Sequence, residues 1–77
     1  MQKWEYLFVK YVETGTMSLE FRASKVNGKL LPNFSGQPTL YDHARELGDE
    51  GWELVQESRI DQTIFLTFKR PKPETTP

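Results

Sequence analysis

TLYDHARELGDEGWELVQ, residues 39–56, holds a helix, its stop signal and the start of a strand in one stretch. Leu40, Ala44, Leu47, Gly48 and Gly51 recur at i, i+4, i+7, i+8 and i+11, which places them along one helical face. Thr39 stands at the N-cap, and Asp42, three residues on, completes a capping-box-like pair. Glycine inside a helix costs about 1 kcal/mol relative to alanine, and close approach of the helix to a sheet is the simplest reason for Gly48. Gly51 is expected to end the helix in a left-handed conformation. Asp49 and Glu50 sit in the last turn, where the macrodipole disfavours negative charge, so this end needs a basic group to answer it. Trp52 to Gln56 then restarts directly as a strand.

Working outward, residues 3–12 are aromatic and β-branched, as a pleated strand prefers. Alternation sets Trp4, Tyr6, Phe8 and Val12 on one face and Leu7, Val9 and Tyr11 on the other. Both faces are apolar, as in a central strand covered on two sides. Residues 13–16 read as a turn with Gly15 supplying backbone freedom. Met17, Leu19, Phe21 and Ala23 alternate with polar neighbours in a second, one-sided strand. Asn27-Gly28 matches the two-residue hairpin signal. A short return strand, Lys29 to Leu31, ends at Pro32, a residue suited to an edge. Residues 33–38 are loop by composition. After the helix and the strand at 52–56, a turn around residues 59–62 leads into a last strand over 63–70. In that strand Ile64, Leu66 and Phe68 face one way and Thr63, Phe65, Thr67 and Lys69 the other.

The predicted fold is α+β, a small and mostly antiparallel sheet of four to five strands with one α-helix on one face, in the order β-β-(β)-α-β-β. Residues 1–70 form a single domain. Residues 71–77, PKPETTP, form a tail in which Pro71 and Pro73 cannot donate ladder hydrogen bonds.

At 77 residues the chain supports one core, and a domain of this length buries only about 60% of its extended surface. Such domains often add disulfides, a metal or a partner subunit. There is no cysteine and one histidine, which removes disulfides and the usual zinc sites. No cofactor is implied. A partner subunit, with a homodimer as first guess, is the expected staple. Ten Lys and Arg against eleven Asp and Glu give a net charge of −1, which weighs against nucleic acid as a partner, since proteins that grip phosphate backbones usually carry a positive excess. No apolar run approaches the roughly 20 residues of a membrane span, and residues 1–12 lack the pattern of a signal peptide. A cytoplasmic location is the expectation.

W-E-Y at 4–6, E-L-G-D-E-G-W-E-L-V at 46–55 and F-K-R-P at 68–71 resemble a family of short bacterial and phage domains of unknown function. Its members read W-E-Y near the start, L-G-A-E-G-W-E-L-V after a helix, and K-R-P at the end of a final strand. The resemblance covers nearly the whole chain and implies a small sheet with one packed helix; it implies no catalytic residues. Residues 13–38, where the Asn-Gly hairpin lengthens the middle, depart from the shortest members.

Candidate sites are few. Trp4, Tyr6 and Trp52 could stack a base or a ligand, but in so small a chain large aromatics more often form the core or a self-association surface. With Gly48, Gly51 and Leu54 they make up the structural motif. His43 beside Asp42 could serve as a general base, yet consecutive helical positions point about 100° apart and position 43 lies off the apolar stripe, so a solvated histidine is expected. Asp42, Glu46 and Asp49 could hold a hard cation, but a helix face encircles an ion poorly, and a solvated acidic face is expected instead. Lys69, Arg70 and Lys72 suit gatekeeping of a strand edge. A nucleophile–base–orienter set is missing, and the chain is expected not to be an enzyme.

The leading functional expectation is a self-association or protein-interaction module. A single helix of about 12 residues shelters one face of the sheet, and the other is expected to carry Leu7, Val9, Tyr11 and Phe65 as an apolar interaction surface. Binding of single-stranded nucleic acid through sheet aromatics is the first alternative, and a small-molecule-sensing domain the second.

Overall fold

The computed structural model of the protein describes residues 1–14 and 20–73. The expected turn at Gly15, the strand positions Met17 and Leu19, and residues 74–77 of the expected tail lie outside the described residues.

Five strands form one antiparallel sheet, β1 (Trp4–Thr14), β2 (Glu20–Val26), β3 (Lys29–Leu30), β4 (Glu53–Ile60) and β5 (Thr63–Pro71), in the spatial order β3-β2-β1-β5-β4. One helix, α1 (Leu40–Asp49), lies between β3 and β4 in the chain. The α+β class and the β-β-β-α-β-β order are as predicted. A 3-10 turn, Phe34–Gly36, interrupts the expected loop. Several boundaries differ from the sequence reading. β1 continues through Glu13 and Thr14, expected in a turn, because they pair with Phe21 and Glu20, and β2 runs on to Val26, which pairs with Val9. β4 runs to Ile60, because antiparallel pairing with β5 extends as far as Ile60↔Thr63 and leaves Asp61 and Gln62 as the turn. β5 includes Pro71, which pairs with Trp4 at the strand end, where its missing N–H is least costly.

Register decides which face is inside. Leu7 pairs with Phe68, Val9 with Leu66 and Tyr11 with Ile64, and each of these rows is wholly apolar. The alternate rows, Tyr6 with Lys69, Phe8 with Thr67 and Lys10 with Phe65, mix apolar and polar groups. Burying the apolar rows removes the most hydrocarbon from water and desolvates no lysine. The core is therefore Val9, Tyr11, Ala23, Leu47, Ile64, Leu66 and Phe68, with Leu7, Phe21, Val26, Leu31, Leu40, Ala44 and Trp52 packed at its margin. Leu40, Ala44 and Leu47 are the predicted helix stripe.

The helix C-terminus forms a closed cap. Gly51 N–H donates to the Gly48 carbonyl at 3.0 Å and Trp52 N–H to the Leu47 carbonyl at 2.9 Å, the double bond pattern of a Schellman motif, with Trp52 and Leu47 as its apolar contact. Gly51 has φ +92°, a conformation that side chains with a Cβ rarely adopt. Gly51→Ala should therefore cost about 1–2 kcal/mol. A urea titration checks this, and an unchanged midpoint would show that the cap tolerates a Cβ. The basic answer to Asp49 and Glu50 is Arg70, whose Nη1 donates to the Glu50 carbonyl at 3.2 Å. Two expectations fail locally. A Cβ built on Gly48 meets nothing within 4 Å, so close helix–sheet approach does not explain that glycine. Thr39 occupies the N-cap position, but its side chain makes no capping bond.

Candidate association surfaces

The structure divides the expected interaction surface between two faces. Val9 and Tyr11 lie in the core beneath the helix and Leu7 is half-buried beside them, whereas Phe65 points to the uncovered face. Leu7, Val9 and Tyr11 are therefore corrected to core positions, because the wholly apolar rows turn toward α1. The uncovered face instead presents Trp4, Tyr6, Phe8 and Phe65, exposed to 41, 50, 56 and 39%. Trp4 and Tyr6 contribute little to the core.

These rings are held in defined positions. Tyr6 and Phe8 stack with centroids 6.4 Å apart and planes within 20°. Lys69 Nζ sits 4.3 Å from the Trp4 ring centroid, a cation–π contact. Asn27, in the left-handed region at φ 51°, accepts a hydrogen bond from Phe8 N–H through Oδ1, while its own N–H donates to the Phe8 carbonyl. The Asn-Gly turn thus also fixes the middle of β1.

A second surface is the edge at β4. Every β4 residue is exposed, and the strand pairs with β5 along one side only. At the opposite edge, β3 and the loop before α1 cover β2, with Ala23 N–H donating to the Pro38 carbonyl and Arg22 Nη1 to the Gln37 carbonyl. Because α1 packs toward β2, it leaves the helix-side flank of β4 open. A cavity of about 430 Å³ lies there, lined by Phe21, Leu40, Tyr41, Glu57, Arg59 and Ile64 among others. Arg59 lines it with the guanidinium 5.2 Å from the Phe21 centroid. Leu54, expected as part of the structural motif, is half-exposed on this strand, and Trp52 is half-buried under the Arg70 guanidinium at 4.2 Å. Arg70 is also paired with Glu5. It therefore ties β5, β1 and the helix end together rather than serving an exposed basic end.

His43 is not a solvated histidine. Its Nδ1 lies 2.6 Å from the Tyr11 hydroxyl, which places it over the sheet rather than off it. Burial lowers its pKa, and the charges of Glu46 and Glu50 oppose that shift. Burial also raises the Tyr11 pKa, so the hydroxyl stays protonated and can donate to a neutral imidazole. The sequence signal for this pair was present but faint: position 43 stands next to Ala44 and one turn before Leu47. Asp42, Glu46 and Asp49 do not converge, and no group of three or more metal-ligating side chains occurs among the described residues. No helix among them is long and apolar enough to cross a membrane.

Comparison of the chain with protein-family models, curated proteins and solved structures gives no match.

Proposed function

We propose that this chain is a non-catalytic association module that pairs with a second copy of itself through the β4 edge. The observation that carries this reading is an eight-residue edge strand exposed from end to end. Its row of unpaired backbone groups is a template for another strand. The small core adds a motive, because a domain with seven buried apolar residues among those described gains from any further ordered contact. The one imidazole is engaged with Tyr11, which supports a role without catalysis.

The charges on β4 restrict such pairing to one register. A two-fold axis normal to the sheet requires antiparallel partners that share a face. Centred on Ser58, the pairing sets Glu57 opposite Arg59 of the second copy, twice. Shifted by one residue either way, it sets Glu57 against Glu57 or Arg59 against Arg59. Opposite charges across an antiparallel pair contribute roughly 0.2–1 kcal/mol each, and like charges cost similar amounts. The bulge between Leu54 and Gln56 confines regular pairing to residues 56–60. So short an interface falls below the roughly 1,200 Å² of a standard complex, and a dissociation constant between about 1 μM and 1 mM is expected.

Sedimentation equilibrium across that concentration range tests the reading. The parent chain should dimerise, Arg59→Glu should be monomeric, and the double swap Glu57→Arg with Arg59→Glu should dimerise again, since it restores opposite charges in the same register. A parent chain that stays monomeric throughout, or a double swap no better than the single one, would overturn it.

A further inference from the structure

We propose that the uncovered sheet face binds single-stranded nucleic acid, stacking bases on Tyr6, Phe8 and Phe65 and holding phosphates with Lys10, Lys25 and Lys69. The near-neutral total charge conceals a segregation. Directly opposed residues share a face, so register places Lys69 beside Tyr6 and sets Lys10 between Lys25 and Phe65. On this face β1 and β5 contribute Trp4, Tyr6, Phe8, Lys10, Val12, Thr63, Phe65, Thr67 and Lys69, with no carboxylate among them. Glu20, toward the β2 edge, is tied to Arg22, and Glu53 lies out on β4 across from Lys69. The helix acids Asp42, Glu46 and Asp49 belong to the layer on the other side of the sheet.

Lys10 and Lys25 point to an anion. They are direct cross-strand partners, an arrangement that destabilises a sheet when the charges are alike. Neither makes a salt bridge among the described residues. An anion between them relieves the repulsion. A hollow of about 330 Å³ lies at that point, lined by Phe8, Lys10, Lys25, Gly28, Phe65 and Thr67 among others. Two aromatic residues and two lysines lining one recess suit a flat base with its phosphate. Along β1, same-face side chains recur every ~7 Å, so Trp4, Tyr6 and Phe8 form a ladder of stacking platforms.

The same charges argue against a second copy as the occupant. Packing this face on its own two-fold mate brings the lysines of both chains together, and like charges at an interface oppose assembly. The site is also separate from β4, so the Arg59→Glu chain should bind an oligonucleotide too short to span two copies as the parent does.

Fluorescence anisotropy of a short labelled oligothymidylate, titrated with the full chain at several salt concentrations, is the test. Saturable binding at low salt is expected, with log Kobs falling against log[salt] at a slope of about −2 for three phosphate contacts on a single strand. Lys10→Ala with Lys25→Ala should reduce the slope to about −0.7. Phe8→Ala should weaken binding roughly 5- to 150-fold with the slope unchanged, as for a lost stacking platform. Both variants change exposed or half-exposed side chains, and a urea titration of each checks that it folds. No anisotropy change at low salt overturns the proposal. Indifference to Phe8→Ala, as for a purely electrostatic polyanion site, also overturns it. So does a Phe8→Ala chain whose only altered property is its oligomeric state, because the face would then belong to a protein partner.

Discussion

Phe68→Ala should leave most of the chain unfolded at 25 °C. Phe68 is among the largest fully buried side chains and sits in the row Leu7–Phe68–Leu54 on a strand flanked by β1 and β4. Truncating a buried phenylalanine costs about 3–5 kcal/mol, the transfer loss and the cavity together. At about 0.05–0.15 kcal/mol per residue, a 77-residue chain has roughly 4–12 kcal/mol in total, and so thin a core argues for the low end. Phe65→Ala, three residues earlier on the same strand, should cost well under half as much, because its ring faces the open side. Far-UV circular dichroism during urea titration measures both. If Phe65→Ala destabilised the chain as much as Phe68→Ala, the assignment of inside and outside faces would be wrong.

That contrast also marks where the sequence was informative. In residues 63–70 alternation alone separates Ile64, Leu66 and Phe68 from Thr63, Phe65, Thr67 and Lys69, and the structure keeps that division. In residues 4–12 both alternating sets are apolar, so the strand by itself gives no preference for either face. Only its register against β5 chooses, by matching Leu7, Val9 and Tyr11 to the apolar set of that strand, and a one-residue slip would reverse the choice. The Asn-Gly hairpin, the helix and the stop at Gly51 were legible because each depends on local conformation. The Tyr11–His43 bond and the Arg70 contacts with Glu5, Trp52 and Glu50 were not, since they join residues 32, 65, 18 and 20 positions apart. For the candidate surfaces, Phe65 was legible as an exposed ring. The Lys10–Lys25 juxtaposition was hidden by the total charge and by an irregularity in the β1–β2 register after Lys10.

The two proposed surfaces are compatible in one assembly. Pairing two β4 edges about an axis normal to the sheet keeps both helices on one side and both aromatic faces on the other. The result is a continuous ten-stranded sheet with a doubled binding platform, twice the five strands of one chain. Dimerisation would then strengthen binding of a long single strand through effective concentration, without a new contact.

Tyr11→Ala should match Phe68→Ala in magnitude, at about 3–5 kcal/mol, and it should change the pH dependence of stability as well. Tyr11 is fully buried, and its hydroxyl is hydrogen-bonded to His43 Nδ1 at 2.6 Å. Tyr11→Phe keeps the ring and loses only that bond, so about 1 kcal/mol is expected. The pH dependence follows from the lowered pKa of His43. The unfolded chain, with His43 near its ordinary value of about 6.5, binds the proton more readily than the folded one. Stability from this group is therefore fully present above pH ~6.5 and declines as the pH falls through that value, levelling off below the folded pKa. The decline cannot exceed about 1.4 kcal/mol per pH unit for a single proton. Glu46 and Glu50, whose charges favour the imidazolium, shrink the window, so Glu46→Gln with Glu50→Gln should widen it toward lower pH. Urea midpoints measured from neutral pH down to pH 5 read all of this. His43→Gln should remove the component centred on the histidine, and a variant that kept the parent's profile would show that the imidazole is not held neutral against the sheet.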